Sequence, residues 1–223
     1  MTSRPAPPAS APAERTPQVE EGHYRFDTYL TRERWISIWH QIEATLRSQP
    51  GEVLEIGVGS GVFAAMVRQF SDASVVTADF DPALKPDIVA DVTQLCEVVG
   101  EGRFDVVCAF QVLEHLPFEQ FLPAVEQMAV ASRDRVLISL PHWGYPVELD
   151  WRFWKKRFSL SLSRRLTRPH DWTFDGEHYW EIGPKGYSLD RIQETVSRAV
   201  DIEKAYFVPG NSYHYILECR VRR

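Results

Sequence analysis

The 223 residues include only three cysteines, Cys96, Cys108 and Cys219, far apart and without a CxxC pair. An odd, scattered set suits neither a disulfide framework nor a zinc site; it fits a reducing cytosol, with all three as small buried apolar residues. No stretch approaches the roughly 18 unbroken apolar residues of a spanning helix, so any membrane contact is expected to be peripheral. Positive charge is not in excess either. Lys and Arg number 25 against 31 Asp and Glu, a formal charge of −6, which argues against broad attraction to nucleic acid or anionic lipid and leaves room for a local basic patch. Residues 1–18 are rich in Pro, Ala and Ser and carry no apolar run. They read as a disordered tail and not as a signal peptide.

What remains is an ordinary globular composition, 44% hydrophobic and 25% charged, of a length that one domain can use. Residues 31–47 place Trp35, Ile38, Trp39, Ile42 and Leu46 at three- and four-residue spacing, the pattern of an amphipathic helix inside a cap of about 20–49. Strand patterns at 53–56, 74–78, 104–109 and 135–140 then alternate with helical ones at 62–70, 93–99 and 118–132, with a short apolar stretch at 87–90. Alternation of this kind predicts a mostly parallel α/β sheet covered on both faces. The rhythm breaks over about 142–186, an insertion read as a lid. It resumes with a helix at 188–199 and two strands around Pro209-Gly210-Asn211-Ser212, a hairpin signal that predicts an antiparallel end.

The chemistry is concentrated after the first strand, in Gly57-Val58-Gly59-Ser60-Gly61. A glycine loop between strand and helix lets backbone approach a ligand, and the helix start offers unpaired N–H groups. Alone, GxGxG serves nicotinamide cofactors, flavins or S-adenosylmethionine. A dinucleotide pattern needs a third glycine where Val62 stands. Glu55, two residues before Gly57, is placed to orient the loop or meet an ammonium group, and this spacing favours the amino-acid cofactor. Asp79 closes the second strand, where an acid accepts from ribose hydroxyls, with Phe80 beside it for adenine; its other reading is a turn residue before Asp81-Pro82. Asp91 can accept from the adenine amino group, with the Val92 backbone near the ring, or cap the helix ahead of Thr93.

VLEIGVGSGVFA, TADFDP, DIVADV, FDVVCAFQVLEHL and RVLISLP, together spanning about 51–141, resemble the ordered motifs of class I S-adenosylmethionine-dependent methyltransferases. The resemblance implies a doubly wound, Rossmann-like sheet of seven strands with only the last antiparallel. It also implies that Glu55, Gly57, Gly59 and Gly61 hold the methionine end, Asp79 and Phe80 the ribose and adenine, Asp91 and Val92 the adenine edge, and Phe110 and Gln111 the region beside the sulfonium. The segment GEHYWEIGPKGY resembles a stretch of an uncharacterised bacterial branch of that family.

Methyl transfer from a sulfonium is largely in-line positioning in a dry site, with a base only where the acceptor needs one. Phe110, Tyr24, Phe26 and Tyr29 are candidates to shield the cation, or plain packing. For a base, His142 after the fifth strand is the first candidate; His115 in Glu114-His115-Leu116-Pro117 is the second, with a structural role at a strand-to-helix junction as its rival. Glu114 and the later His170 to Glu181 run contain metal-ligand types, but no standard ligand spacing, so no metal is expected. Between Trp151 and Arg168, Arg152, Lys155, Lys156, Arg157, Arg164 and Arg165 interleave with Phe153, Trp154, Phe158, Leu160 and Leu162. This element suits an anionic or lipid-linked acceptor, or is a solvated lid helix with an apolar underside. The expectation is a cytoplasmic methyltransferase of a small or medium-sized acceptor, O-methylation favoured. Its rivals are an RNA or protein methyltransferase and a non-catalytic cofactor-binding module; Phe110-Gln111-Val112-Leu113 stands where an NPPY-like motif for nucleobase amino groups would be.

Overall fold

The computed structural model describes residues 24–26, 29–153, 158–168 and 170–222, with backbone alone for 148–153 and 158–163. The tail expected at 1–18, and Trp154, Lys155, Lys156 and Arg157, lie outside the described residues. Helix α1, Arg32–Leu46, begins where the Thr31 hydroxyl accepts the Arg34 N–H at 3.2 Å, a cap that satisfies one of the helix's orphan donors. The chain then alternates through β1 Glu52–Ile56, α2 Val62–Phe70, β2 Ser74–Asp79, β3 Ile88–Val89, α3 Leu95–Val99, β4 Phe104–Phe110, α4 Phe121–Ala131 and β5 Ser132–Pro141. After a hairpin of β6 Tyr145–Phe153 and β7 Phe158–Leu166 come α5 Leu189–Val196, β8 Val200–Val208 and β9 Asn211–Val221.

Seven strands make one sheet in the order β3-β2-β1-β4-β5-β9-β8. Strands β1 to β5 pair in parallel, while β9 runs antiparallel to both β5 and β8. The one reversed strand is β9, as the resemblance implies. Successive strand residues face opposite sides, and this builds two cores. Val53, Val106, Cys108 and Leu137 pack with Phe63 and Val67 of α2 and Ala44 of α1. Leu54, Val107, Val136 and Ile138 pack with Leu95 of α3, Val125 and Met128 of α4 and Ile192 of α5. Each such aliphatic side chain contributes roughly 1.5–3 kcal/mol on burial. Cys108 and Cys219 are buried and Cys96 half-buried, none in a disulfide. Burial pushes the Cys219 thiol up to about 12.

Two expectations change. The helix expected at 188–199 ends at Val196, with the Ser197 N–H bonded back to Gln193 and Thr195 carbonyls. The lid helix is a correction: the basic, aromatic segment is the two-stranded β6–β7 hairpin, outside the main sheet. Its reason stands in Ser159-Leu160-Ser161-Leu162-Ser163, which alternates with period two, a strand pattern. Gly144, at the root, has φ 132°, and a Cβ there would lie 2.7 Å from the Leu166 carbonyl oxygen. Among the described residues no helix is long and apolar enough to cross a membrane.

Candidate active site

The glycine loop leaves β1 at the carboxyl edge of the sheet, next to the point where β1 neighbours β2 and β4. Gly57, Gly59 and Gly61 all have positive φ, 82°, 50° and 71°. The demand is strictest at Gly57, whose N–H donates to the Ala78 carbonyl at 2.8 Å. A Cβ at Gly57 would lie 2.3 Å from Val112 Cγ2. Gly61 is the left-handed residue from which α2 starts, and the cavity wall is made by the loop before it, Gly57 to Ser60.

Two acids flank this loop. Glu55 is buried, its Oε2 has no hydrogen-bond partner, and burial pushes its carboxyl up to about 8. Asp79 accepts the Val58 N–H on Oδ2 and the Asp81 N–H on Oδ1, both at 2.9 Å, so it fixes the loop while lining the cavity. Burial raises its carboxyl despite those two bonds. Phe80 lines the same wall. Asp91 serves as the cap: its Oδ1 accepts the Thr93 N–H at 2.8 Å and the Thr93 hydroxyl at 2.7 Å. The wall there is formed by Ala90, Val92 and Thr93.

Beside β1, β4 ends in Phe110, which also lines the cavity and stands edge-on to Phe63 with centroids 5.1 Å apart. Gln111 follows in the left-handed region at φ 58°. Its Nε2 donates to Ser139 Oγ at 3.2 Å, and Gln41 of α1 reaches the same oxygen at 3.4 Å. One buried hydroxyl on β5 thus ties α1 to the loop after β4. Tyr24 and Tyr29 both line the cavity, edge to face at 4.8 Å, with the Arg34 guanidinium 4.2 Å above the Tyr29 ring. Phe26 is 81% exposed and takes no part in the wall.

The two histidines considered as bases separate. His115 sits on a 3-10 turn, Leu113–His115, and lines the cavity, with its Nδ1 2.9 Å from the Glu177 carbonyl. His142 is buried in another cleft with Trp39, Arg164 and Tyr206. Its Nδ1 meets the Trp143 carbonyl at 2.8 Å, and burial lowers its pKa. Sequence reasoning missed His214. On β9 opposite Pro141, it lines the cavity, and burial pushes it down to about 3. Its signal is the β5–β9 register, which puts it on the face of Ser139, and that register is not readable from local pattern.

Next to His115 lies a buried polar group. Glu114 is wholly buried and neither carboxylate oxygen has a partner among the described residues; burial pushes it up to about 7. His178 Nδ1 is 2.8 Å from Glu181 Oε1, which also accepts the Tyr213 hydroxyl. Burial opposes the charged imidazole of His178, but the bond to Glu181 and the nearby Glu114 outweigh it and raise the pKa.

A family model described as a methyltransferase domain matches residues 23–182. No curated protein sequence matches the chain. Its fold is similar to the N-methyltransferase NodS of Bradyrhizobium japonicum in complex with S-adenosylhomocysteine, at 12% identity over 92% of this chain and 95% of that one, TM-score 0.60. It is also similar to the Burkholderia thailandensis 1,6-didemethyltoxoflavin-N1-methyltransferase with bound 1,6-didemethyltoxoflavin and S-adenosylhomocysteine, at 15% identity over 86% and 82%, TM-score 0.57. The magnesium protoporphyrin IX methyltransferase of Synechocystis with bound S-adenosylmethionine is similar at 16% identity over 92% and 86%, TM-score 0.53. With well over half its length matched by the family model and a sheet order to suit, this chain belongs to the methyltransferase-domain family and is a class I S-adenosylmethionine-dependent methyltransferase.

Proposed function

We propose that the chain methylates a small or medium-sized acceptor, with an oxygen nucleophile favoured over nitrogen. The observation that supports this most is one cavity of about 330 Å³, lined by the glycine loop with Glu55 and Asp79 and also by Gln111, His115, Tyr179 and His214. Cofactor residues and a second set of polar groups share a space of the size that small ligands occupy.

The cofactor side fits its ligand. Glu55 keeps an unpartnered buried oxygen beside the loop, which suits an ammonium group, and Asp79 suits ribose hydroxyls, with Phe80 and Val92 along the adenine. Bound there, S-adenosylmethionine supplies an electrophilic methyl on a positively charged sulfur. Phe110, Tyr24 and Tyr29 exclude water and offer ring faces to that cation. His115 takes the base role from His142, because it lines the cavity; His214 stays neutral at physiological pH and serves as a polar wall. The domain is read as 19–223, cytoplasmic, with α1 in an N-terminal cap and 142–186 as the lid. Exposed Arg164 and Arg168 on and after β7 keep anionic and lipid-linked acceptors within range.

Transfer to nitrogen is the second reading, favoured by the names of two similar structures. The test is transfer of labelled methyl to matched acceptor pairs that differ only in hydroxyl against amine. O-methyl product is expected. N-methyl product alone selects the second reading, and cofactor binding without any product would mark a non-catalytic module.

A further inference from the structure

Glu114 is enclosed without being used. It is wholly buried, neither oxygen accepts a hydrogen bond among the described residues, and the positive groups it senses, His178 and more weakly Arg34, do not donate to it. Enclosing a carboxylate in this way costs several kcal/mol unless something compensates it.

We propose that Glu114, His115 and His178 bind a divalent transition cation beside the acceptor end of the cavity. One ligand atom from each lies within 4.8 Å of the other two. Bonds of about 2.1 Å at tetrahedral angles need separations of about 3.4 Å, so side-chain rotations of about 1 Å bring the set to ligating distance. The rings of His115 and His178 are edge to face, centroids 5.0 Å apart at 72°.

Each imidazole is oriented through Nδ1, by the Glu177 carbonyl at 2.9 Å for His115 and by Glu181 Oε1 at 2.8 Å for His178. A carbonyl oxygen only accepts, so Nδ1 of His115 carries the proton and Nε2 is its basic nitrogen. A carbonyl behind one ring and a carboxylate behind the other are the outer partners that orient metal-binding histidines and raise their basicity. Asp175, His178 and Glu181 form a second grouping. There Asp175 Oδ1 already accepts the Glu177 and His178 N–H groups, and Glu181 Oε1 accepts from His178 and Tyr213, which makes Glu114 the better carboxylate. Two imidazoles and one carboxylate suit zinc, manganese or ferrous iron; magnesium and calcium take oxygen ligands. Three protein ligands leave a position open. Since His115 also lines the cavity, on the methyltransferase reading above that position faces an oxygen of the acceptor; with the cation bound, Nε2 of His115 is a ligand and no longer a base, and the cation takes over the activation of that oxygen.

The test is titration of the full-length, chelator-stripped protein with Mn²⁺, followed by electron paramagnetic resonance, then challenge with Zn²⁺ or Mg²⁺. One Mn²⁺ per chain is expected, with nitrogen hyperfine coupling from imidazole, displaced by Zn²⁺ and retained in equal Mg²⁺. Glu114→Gln and His178→Ala each weaken binding at least tenfold, and Glu181→Gln about tenfold through loss of the outer partner's negative charge, its amide oxygen still accepting from Nδ1. No Mn²⁺ or Zn²⁺ binding by the native protein below millimolar concentration overturns the site, and so does binding without nitrogen coupling or unchanged binding in folded Glu114→Gln and His178→Ala. The native titration is independent of how the variants fold. S-adenosylhomocysteine is titrated into the same sample; a protein that binds it but takes up neither Mn²⁺ nor Zn²⁺ sinks the metal site and leaves the methyltransferase reading standing.

Discussion

Glu55→Gln should make the free protein more stable at alkaline pH while weakening its hold on the cofactor. Burial, reinforced by the neighbouring Asp79 charge and only partly offset by Arg68, lifts the Glu55 carboxyl from 4.5 to about 8. In the unfolded chain this group ionises near its ordinary value, whereas in the fold it stays protonated until about pH 8. A carboxyl with a raised folded pKa lowers stability: nothing is lost below pH 4.5, the loss grows between there and about 8, and it is constant above. At roughly 1.4 kcal/mol per pH unit the window allows at most about 5 kcal/mol, and relaxation with water entry brings the expected figure to about 2–3 kcal/mol. Urea unfolding of both proteins at pH 5 and pH 8.5 isolates this term, because other buried acids such as Glu114 are common to both. The difference should be within about 0.5 kcal/mol at pH 5 and about 2–3 kcal/mol in favour of Glu55→Gln at pH 8.5. Equal differences at the two pH values would refute the reasoning, as they would mean that Glu55 does not titrate on folding. S-adenosylhomocysteine affinity should fall about tenfold or more in the variant at pH 8.5, because an amide offers no charge to an ammonium group.

Gly57→Ala combines a left-handed φ with a 2.3 Å approach to Val112 and should cost about 2–4 kcal/mol in urea unfolding; adding Val112→Ala should recover part of that, and full recovery would show that φ is not strained. Leu54→Ala, under the sheet, should cost about 2–5 kcal/mol without altering cofactor affinity in the folded protein. His115→Ala should lower methyl transfer about a hundredfold or more, whereas His142→Gln should leave it within about twofold; the reverse order in labelled-methyl assays would return the base role to His142.

The sheet was legible because each local signal served the global fold. Val53 to Ile56, Phe104 to Ala109 and Arg135 to Leu140 are short apolar runs bounded by turn residues, and the structure places all three as neighbouring parallel strands. The loop was legible for a different reason: positive φ favours glycine, and Gly57, Gly59 and Gly61 all adopt it; Asp79 lines the cavity and also makes the turn bond to the Asp81 N–H that its other reading required. What escaped depends on contacts distant in sequence. His214 reaches the cavity through its register with Pro141, and His142 leaves it because its ring packs on Phe207 at 4.9 Å. Glu114 and His178 are 64 positions apart in the chain and meet because the segment after the hairpin returns to the loop after β4, where the Tyr179 N–H bonds the Glu114 carbonyl at 2.9 Å. The hairpin itself was readable, since its serine–leucine alternation has period two; the density of basic and aromatic residues masked it.

The most direct test of the account is calorimetric titration of the purified protein with S-adenosylhomocysteine, beside an Asp79→Ala control. The cavity geometry predicts one site on the native protein, and loss of at least tenfold in affinity in the control, whose loop loses the carboxylate that holds the Val58 N–H at 2.9 Å. A folded native protein that binds neither S-adenosylhomocysteine nor S-adenosylmethionine, or a control that binds as well as the native chain, would contradict the assignment of this cavity as the cofactor site.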